Sequence, residues 1–140
     1  MIAEIRSYIR SGVKSIDSDL IENTSAFYDQ DIGETLIGRS FQIEINNINN
    51  TSRTEFTEDN LSVVVSIFGF GYVNELAEYD ELLDKAICIR DYITNIKNFS
   101  GVETIVNVIS DSINVEQLPT DNNGFKININ LTLSQAYSRG

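Results

Sequence analysis

The chain has no histidine and no tryptophan, and only one cysteine, one proline and one methionine among its 140 residues. Without imidazole, Ser-His-Asp and Cys-His catalysis, imidazole bases and most zinc sites are excluded. Cys88, standing alone, cannot close a disulfide within the chain or build a cysteine metal site. Cations are scarce too: 10 Lys and Arg stand against 21 Asp and Glu, a formal net charge of −11. They are scattered rather than gathered into a stripe, so the footprint of a phosphate-neutralising surface is missing. The longest apolar runs are a few residues, far below the ~20 that cross a bilayer. The opening MIAEIRSYIR mixes charge into every turn and is not expected to act as a signal peptide. An intracellular or virion compartment is the expectation, with no membrane partner.

What is present describes an ordinary globular domain. Hydrophobic residues make up 41% and charged residues 22%, which places residues 1–140 as a single folded domain rather than a disordered chain. A chain of this size buries about 68–70% of its unfolded surface, enough for a core without covalent staples.

Ile2, Ile5, Ile9 and Val13 follow the stripe of an amphipathic helix, with Ser11-Gly12 placed to loosen or end it. Ser15 to Gly38 lacks periodicity and carries Asp17, Asp19, Asp29, Asp31 and Glu34; it reads as a long connection with one short element. Phe41, Ile43 and Ile45 alternate with Gln42, Glu44 and Asn46, the mark of a half-buried strand. Asn46 to Asn60, NNINNTSRTEFTEDN, is polar and turn-favouring, and reads as a long hairpin arm or loop dispensable for folding. A strand from Leu61 to Ile67 is apolar on both faces.

The helix predicted from Tyr79 to Lys97 carries Leu82, Ala86, Ile89, Ile93 and Ile96 on one stripe, with Asp80 as N-cap and Glu81–Lys85 as an i, i+4 pair. Val102–Ile109 and a short piece around Ile113 and Val115 read as extended, closed by Leu118-Pro119. After the turn Asp121-Asn122-Asn123-Gly124, Phe125 to Ser134 alternate without a break. The fold class is therefore α+β: a mostly antiparallel sheet of four to five strands with two helices on one face.

Three stretches invite a chemical reading. Gly69-x-Gly71 follows a strand and precedes a helix, but a dinucleotide fingerprint needs glycine where Asn74 stands, and no Gly-Lys-Ser/Thr follows. The two glycines read as a bend or bulge at a strand end. Asp29-Gln30-Asp31-Ile32-Gly33-Glu34 has its glycine one place early for a calcium loop, and the twelfth position is Ser40. Glu55, Glu58 and Asp59 cluster in a polar arm, where solvation is expected rather than a facing acid–base pair. Catalytic, cofactor and metal residues are all expected to be absent, so the chain reads as a non-enzyme.

In order of elements the chain resembles the tail terminator proteins of long-tailed, lambda-type phages. The likeness lies in the helix Ile2–Ile9, the strand FQIEINNI, the arm NNTSRTEFTEDN, the strand LSVVVSIFGF, the helix YDELLDKAICIRDYITNI and the closing block PTDNNGFKININLTLSQAYS. The resemblance implies a hexameric ring that caps the tail tube, ends its polymerisation and joins the tail to the head connector or neck protein. Its setting would be the tail–head junction of the virion, after assembly in the host cytoplasm. Its partners would be further copies of itself, tube protein and connector, with DNA passing through the bore unbound. On that basis Asn49, Asn50, Thr51, Arg53, Glu55 and Phe56 form the arm reaching a neighbouring ring or subunit, and Glu55, Glu58 and Asp59 are candidate bore carboxylates. Another head–tail connector, a head-completion protein or a tube protein would use the same ring logic. A small non-viral adaptor and a metabolic enzyme are the alternatives of other classes.

Overall fold

The computed structural model describes residues 2–23, 40–52, 56–70, 76–95, 105–117 and 124–138. Two helices, α1 (Ile2–Ile16) and α2 (Leu76–Thr94), accompany five strands: β1 (Ile21–Glu22), β2 (Ser40–Ser52), β3 (Phe56–Phe70), β4 (Ile105–Gln117) and β5 (Gly124–Ser138). The sheet runs in the order β1-β2-β3-β5-β4. Only β1–β2 is parallel; every other neighbour is antiparallel. This is the expected α+β class.

The core follows from the period-2 pattern of the strands. Phe41, Ile67, Ile127 and Val115 lie in one row across four strands, and Ile43, Val65, Ile129 and Ile113 in another. Ile5, Ile9 and Val13 of α1 and Ala86, Ile89 and Ile93 of α2 are fully buried in one cluster with the β2, β3 and β5 members of these rows, while Ile113 is half-buried against it and Val115 is exposed. Each large aliphatic side chain removed from water in this way contributes roughly 1.5–3 kcal/mol before entropy. Arg6 donates to the Ile43 carbonyl at 2.7 Å, which ties α1 to β2. Arg10 pairs with Glu22, and Lys14 donates to the Leu20 carbonyl, so cations of α1 hold the short connection that leads into β1.

Several expectations are corrected. Helix α1 runs through Ser11-Gly12 to Ile16, because Gly12 is the point of closest approach to α2. A Cβ there would lie 2.7 Å from Tyr92 Cδ1. The Tyr92 ring in turn lies 5.7 Å from that of Tyr8, whose hydroxyl donates to the Tyr92 carbonyl at 2.9 Å. Helix α2 starts at Leu76, so Asp80 lies inside it and is not the N-cap. Lys85 bonds Asp17 at 2.7 Å, joining α2 to the turn that follows α1 rather than simply supporting α2 through Glu81. This bond holds the Asp17 carboxyl below its ordinary range, against the opposing effect of burial.

The extended segments near Ile109 and Ile113 are one strand, β4, with a bulge between Val108 and Ser110. Gly69 is neither a bend nor a bulge. It keeps register opposite Phe125, and a Cβ would meet Leu82 Cδ1 at 2.7 Å and Phe125 Cζ at 2.8 Å. The glycine makes room for α2 and an aromatic ring. Gly71, Asn74, the acidic segment Asp29–Glu34, Ile96 and the turn at Asp121–Asn123 lie outside the described residues. The long connection does contain the short element expected of it, β1.

Candidate functional site: the polar face and the two edges of the sheet

Residues between the core rows point to the other face of the sheet, where the chemistry changes. On β3 these positions are Ser62, Val64, Ser66 and Phe68; on β5 they are Lys126, Asn128, Asn130 and Thr132. The edge strand β4 adds Ser110, Ser112, Asn114 and Glu116. The groups satisfy one another: Ser66 Oγ donates to Asn128 Oδ1 at 2.7 Å, and Asn130 Nδ2 donates to Asn114 Oδ1 at 2.5 Å. Lys126 pairs with Glu116 at 3.2 Å. Glu44 is a further charge on this face, and Glu58 falls on it by backbone register.

A concavity of about 460 Å³ crosses the middle of the sheet, lined by Asn46, Ser62, Val64, Ser112, Asn130 and Thr132 among others. It offers hydroxyls and amides. The lining residues include no cation to hold a phosphate and no pair of carboxylates. Among the described residues, no group of three His, Cys, Asp or Glu converges as a metal site. Ser66, Phe68 and Asn128 on this face are buried; the accessible part, around Ser62, Asn130, Thr132 and β4, makes weak, replaceable hydrogen bonds.

The predicted arm is part of the sheet. Asn49 pairs with Asn60, Asn50 with Asp59 and Thr51 with Glu58 on β2–β3. On the far side, Phe56 pairs with Ser138 and Glu58 with Ala136 of β5, while Ile105 of β4 pairs with that same Ala136. Residues 57–60 are paired on both sides and Asn47–Ser52 on one, so this stretch is the paired end of a hairpin rather than a loop dispensable for folding. Arg53 and Glu55 lie outside the described residues, and Thr51, Phe56 and Glu58 are placed here by backbone register alone.

Asp59 is also corrected. It shares the side of β3 that carries Leu61 and Val63, is 8% exposed, and accepts from Asn50 Nδ2 at 2.8 Å. A buried, bonded carboxylate does not line an open bore.

The feature sequence reasoning missed is the pair of sheet edges. On β4, every side chain from Asn107 to Gln117 is exposed except Val108 and Ile113, which are half-buried. No strand among the described residues pairs with the outer side of β4. On the opposite edge, β1 covers β2 only at Ser40 and Phe41, and Asn46 to Asn50 are exposed. Large apolar side chains stand out on both edges: Ile48 is 54% exposed on β2 and Ile109 is 57% exposed on β4. Long open edges are templates for pairing with another chain, and proteins that remain single copies blunt them.

No protein-family model matches the chain, and no curated protein matches it in sequence. No described helix is long and apolar enough to cross a membrane.

Proposed function

We propose that this protein is a structural ring component of a phage tail, acting as a tail terminator: a hexameric ring that caps the tube, ends its growth and joins it to the head connector. The observation that carries the reading is the two edges, β4 and the exposed half of β2, that no strand among the described residues pairs. Copies joined edge to edge close into a ring when the rotation between them closes, and closure leaves no strand edge open. Ring size and the identity of the tube and connector partners come from the family resemblance.

In such a ring the side of the sheet that carries the core rows stands outside, and the accessible Ser, Thr and Asn part of the other face turns to the bore. DNA then slides past hydroxyls, amides and few charges inside a subunit of net charge −11, which repels rather than binds phosphate. Of the carboxylates implied by the resemblance, Asp59 is buried on the other side of the sheet, whereas Glu58 falls on the bore face by register. No bond is made or broken, so the role is mechanical and the protein is not an enzyme.

The test is mass by light scattering, for the protein alone and after mixing with purified tube protein. A ring, or a monomer that becomes a ring on tube ends and halts their growth, supports the reading. A persistent monomer that ignores tubes and turns over a small molecule contradicts it.

A further inference from the structure

The geometry points to one specific contact between copies: the outer edge of β4 pairs antiparallel with the Asn46–Asn50 edge of β2 on the next copy, bringing Ile109 against Ile48. Direction comes first. β2 is antiparallel to β3, β3 to β5 and β5 to β4, so β2 and β4 run in opposite directions. A rotation about an axis along the strands preserves direction, so β2 of the next copy meets β4 antiparallel and the alternation continues unbroken around the ring.

Height comes second. Ile48, Leu61, Leu133 and Val108 lie in one row of the sheet. The two exposed edge isoleucines, Ile48 and Ile109, therefore stand at nearly the same level on opposite edges. Each edge strand also has its single register shift at that level, between Ile45 and Asn47 on β2 and between Val108 and Ser110 on β4. Two irregular edges with matching offsets can keep register with each other where a regular strand would lose it.

A two-fold β4–β4 pairing would also be antiparallel, but it buries Ile109 and leaves both β2 edges and both copies of Ile48 in water. The edge-to-next-edge arrangement covers both isoleucines in every copy. The pairing deepens the ring reading and rests on it only for the number of copies.

Cysteine cross-linking tests the contact in a Cys88→Ser background, which removes the exposed native thiol. Ile48 and Ile109 are separated by three strand spacings within a chain, about 14 Å, too far for an internal disulfide. Mild oxidation of the Ile48→Cys/Ile109→Cys double variant is expected to give an intermolecular ladder that ends at a closed ring. Each single variant is expected to stay uncross-linked, and an equal mixture of the two singles to stop at dimers. The experiment is run on the free protein and on tube ends, wherever light scattering shows assembly.

Covalent dimers of the Ile109→Cys single variant would overturn the proposal in favour of two-fold pairing. Absence of any ladder in an assembled double variant would overturn it as well, and so would absence of assembly in either setting. Ile109→Lys, at an exposed position, is expected to keep wild-type circular dichroism and melting while assembly is lost; assembly unchanged by that variant also counts against the contact. Rings without the ladder would leave the terminator reading standing and remove this pairing, whereas a ladder without tube binding would do the reverse.

Discussion

Replacing Gly12 by alanine is expected to weaken the fold, against the usual direction. In a helix interior glycine costs about 1 kcal/mol relative to alanine, so the exchange normally stabilises. Here the new Cβ would sit 2.7 Å from Tyr92 Cδ1 and 3.1 Å from Cε1. Tyr92 cannot simply swing aside, because Tyr8 lies against its ring and holds its carbonyl. Forcing a methyl into a packed contact typically costs about 1–3 kcal/mol, so the net effect is a loss of up to about 2 kcal/mol. For a domain of this size that is a fall in Tm of several degrees, about 4 °C per kcal/mol.

Urea unfolding reads the change as a lower midpoint at unchanged slope. The same exchange in a Tyr92→Ala background removes the obstacle and is expected to stabilise by about 1 kcal/mol. The sign reversal is the signature of the contact. Stabilisation by Gly12→Ala with Tyr92 intact, or equal effects in both backgrounds, would refute the idea that this glycine exists to let the helices touch.

Other consequences follow from the same packing. Lys85→Met is expected to cost about 0.5–1 kcal/mol at neutral pH. Asp17 is depressed in the folded state chiefly by the Lys85 bond, so its contribution is complete above the ordinary carboxylate value near ~3.9 and lost as pH falls through the folded value. The stability gap between wild type and Lys85→Met, measured by urea unfolding, should therefore hold at pH 7 and close in acid; a gap that widens in acid contradicts the assignment. Ile129→Ala, at a fully buried position, is expected to cost about 2–5 kcal/mol, whereas Asn130→Ser on the other face should change stability far less; comparable melting losses would mean the faces are misassigned. Deleting residues 49–57 removes paired backbone from β2 and β3 and is expected to lower Tm and loosen the fold, where a loop deletion would leave both unchanged.

How much of this was legible depends on where alternation was clean. Phe125 to Ser134 alternates without fault, and its strand was read correctly because one apolar residue at every second place has a single physical solution, a half-buried strand. The stripes Ile5, Ile9, Val13 and Ala86, Ile89, Ile93 were equally plain, as was the α+β class they imply. The polar ends of the strands were not. NNTSRTEFTEDN has turn composition, yet Asn49–Ser52 are held by a backbone ladder on one side and Thr57–Asn60 by ladders on both, a stabilisation that composition does not display. The length of β5 carried the signal: SQAYS continues its strand and needs a partner as long.

Gly69 and Gly12 were misread for a related reason. A glycine admitting a neighbour and a glycine making a bend look alike until the neighbour is placed. Lys85 chose Asp17 over Glu81 because a contact between α2 and the turn that follows α1 is invisible to local spacing. The edges were missed because openness belongs to the whole sheet: only the strand order, with β1 pairing no further than Ser40 and Phe41, shows that β4 and the rest of β2 lie at its edges.

The most direct measurement is electron microscopy of tubes grown from purified tube protein in the presence and absence of this chain. A closed ring seated on one tube end, with elongation arrested there and a continuous sheet running from copy to copy, is the result the account predicts. Tubes that grow unchanged while the protein stays a dispersed monomer with both sheet edges facing water would contradict it.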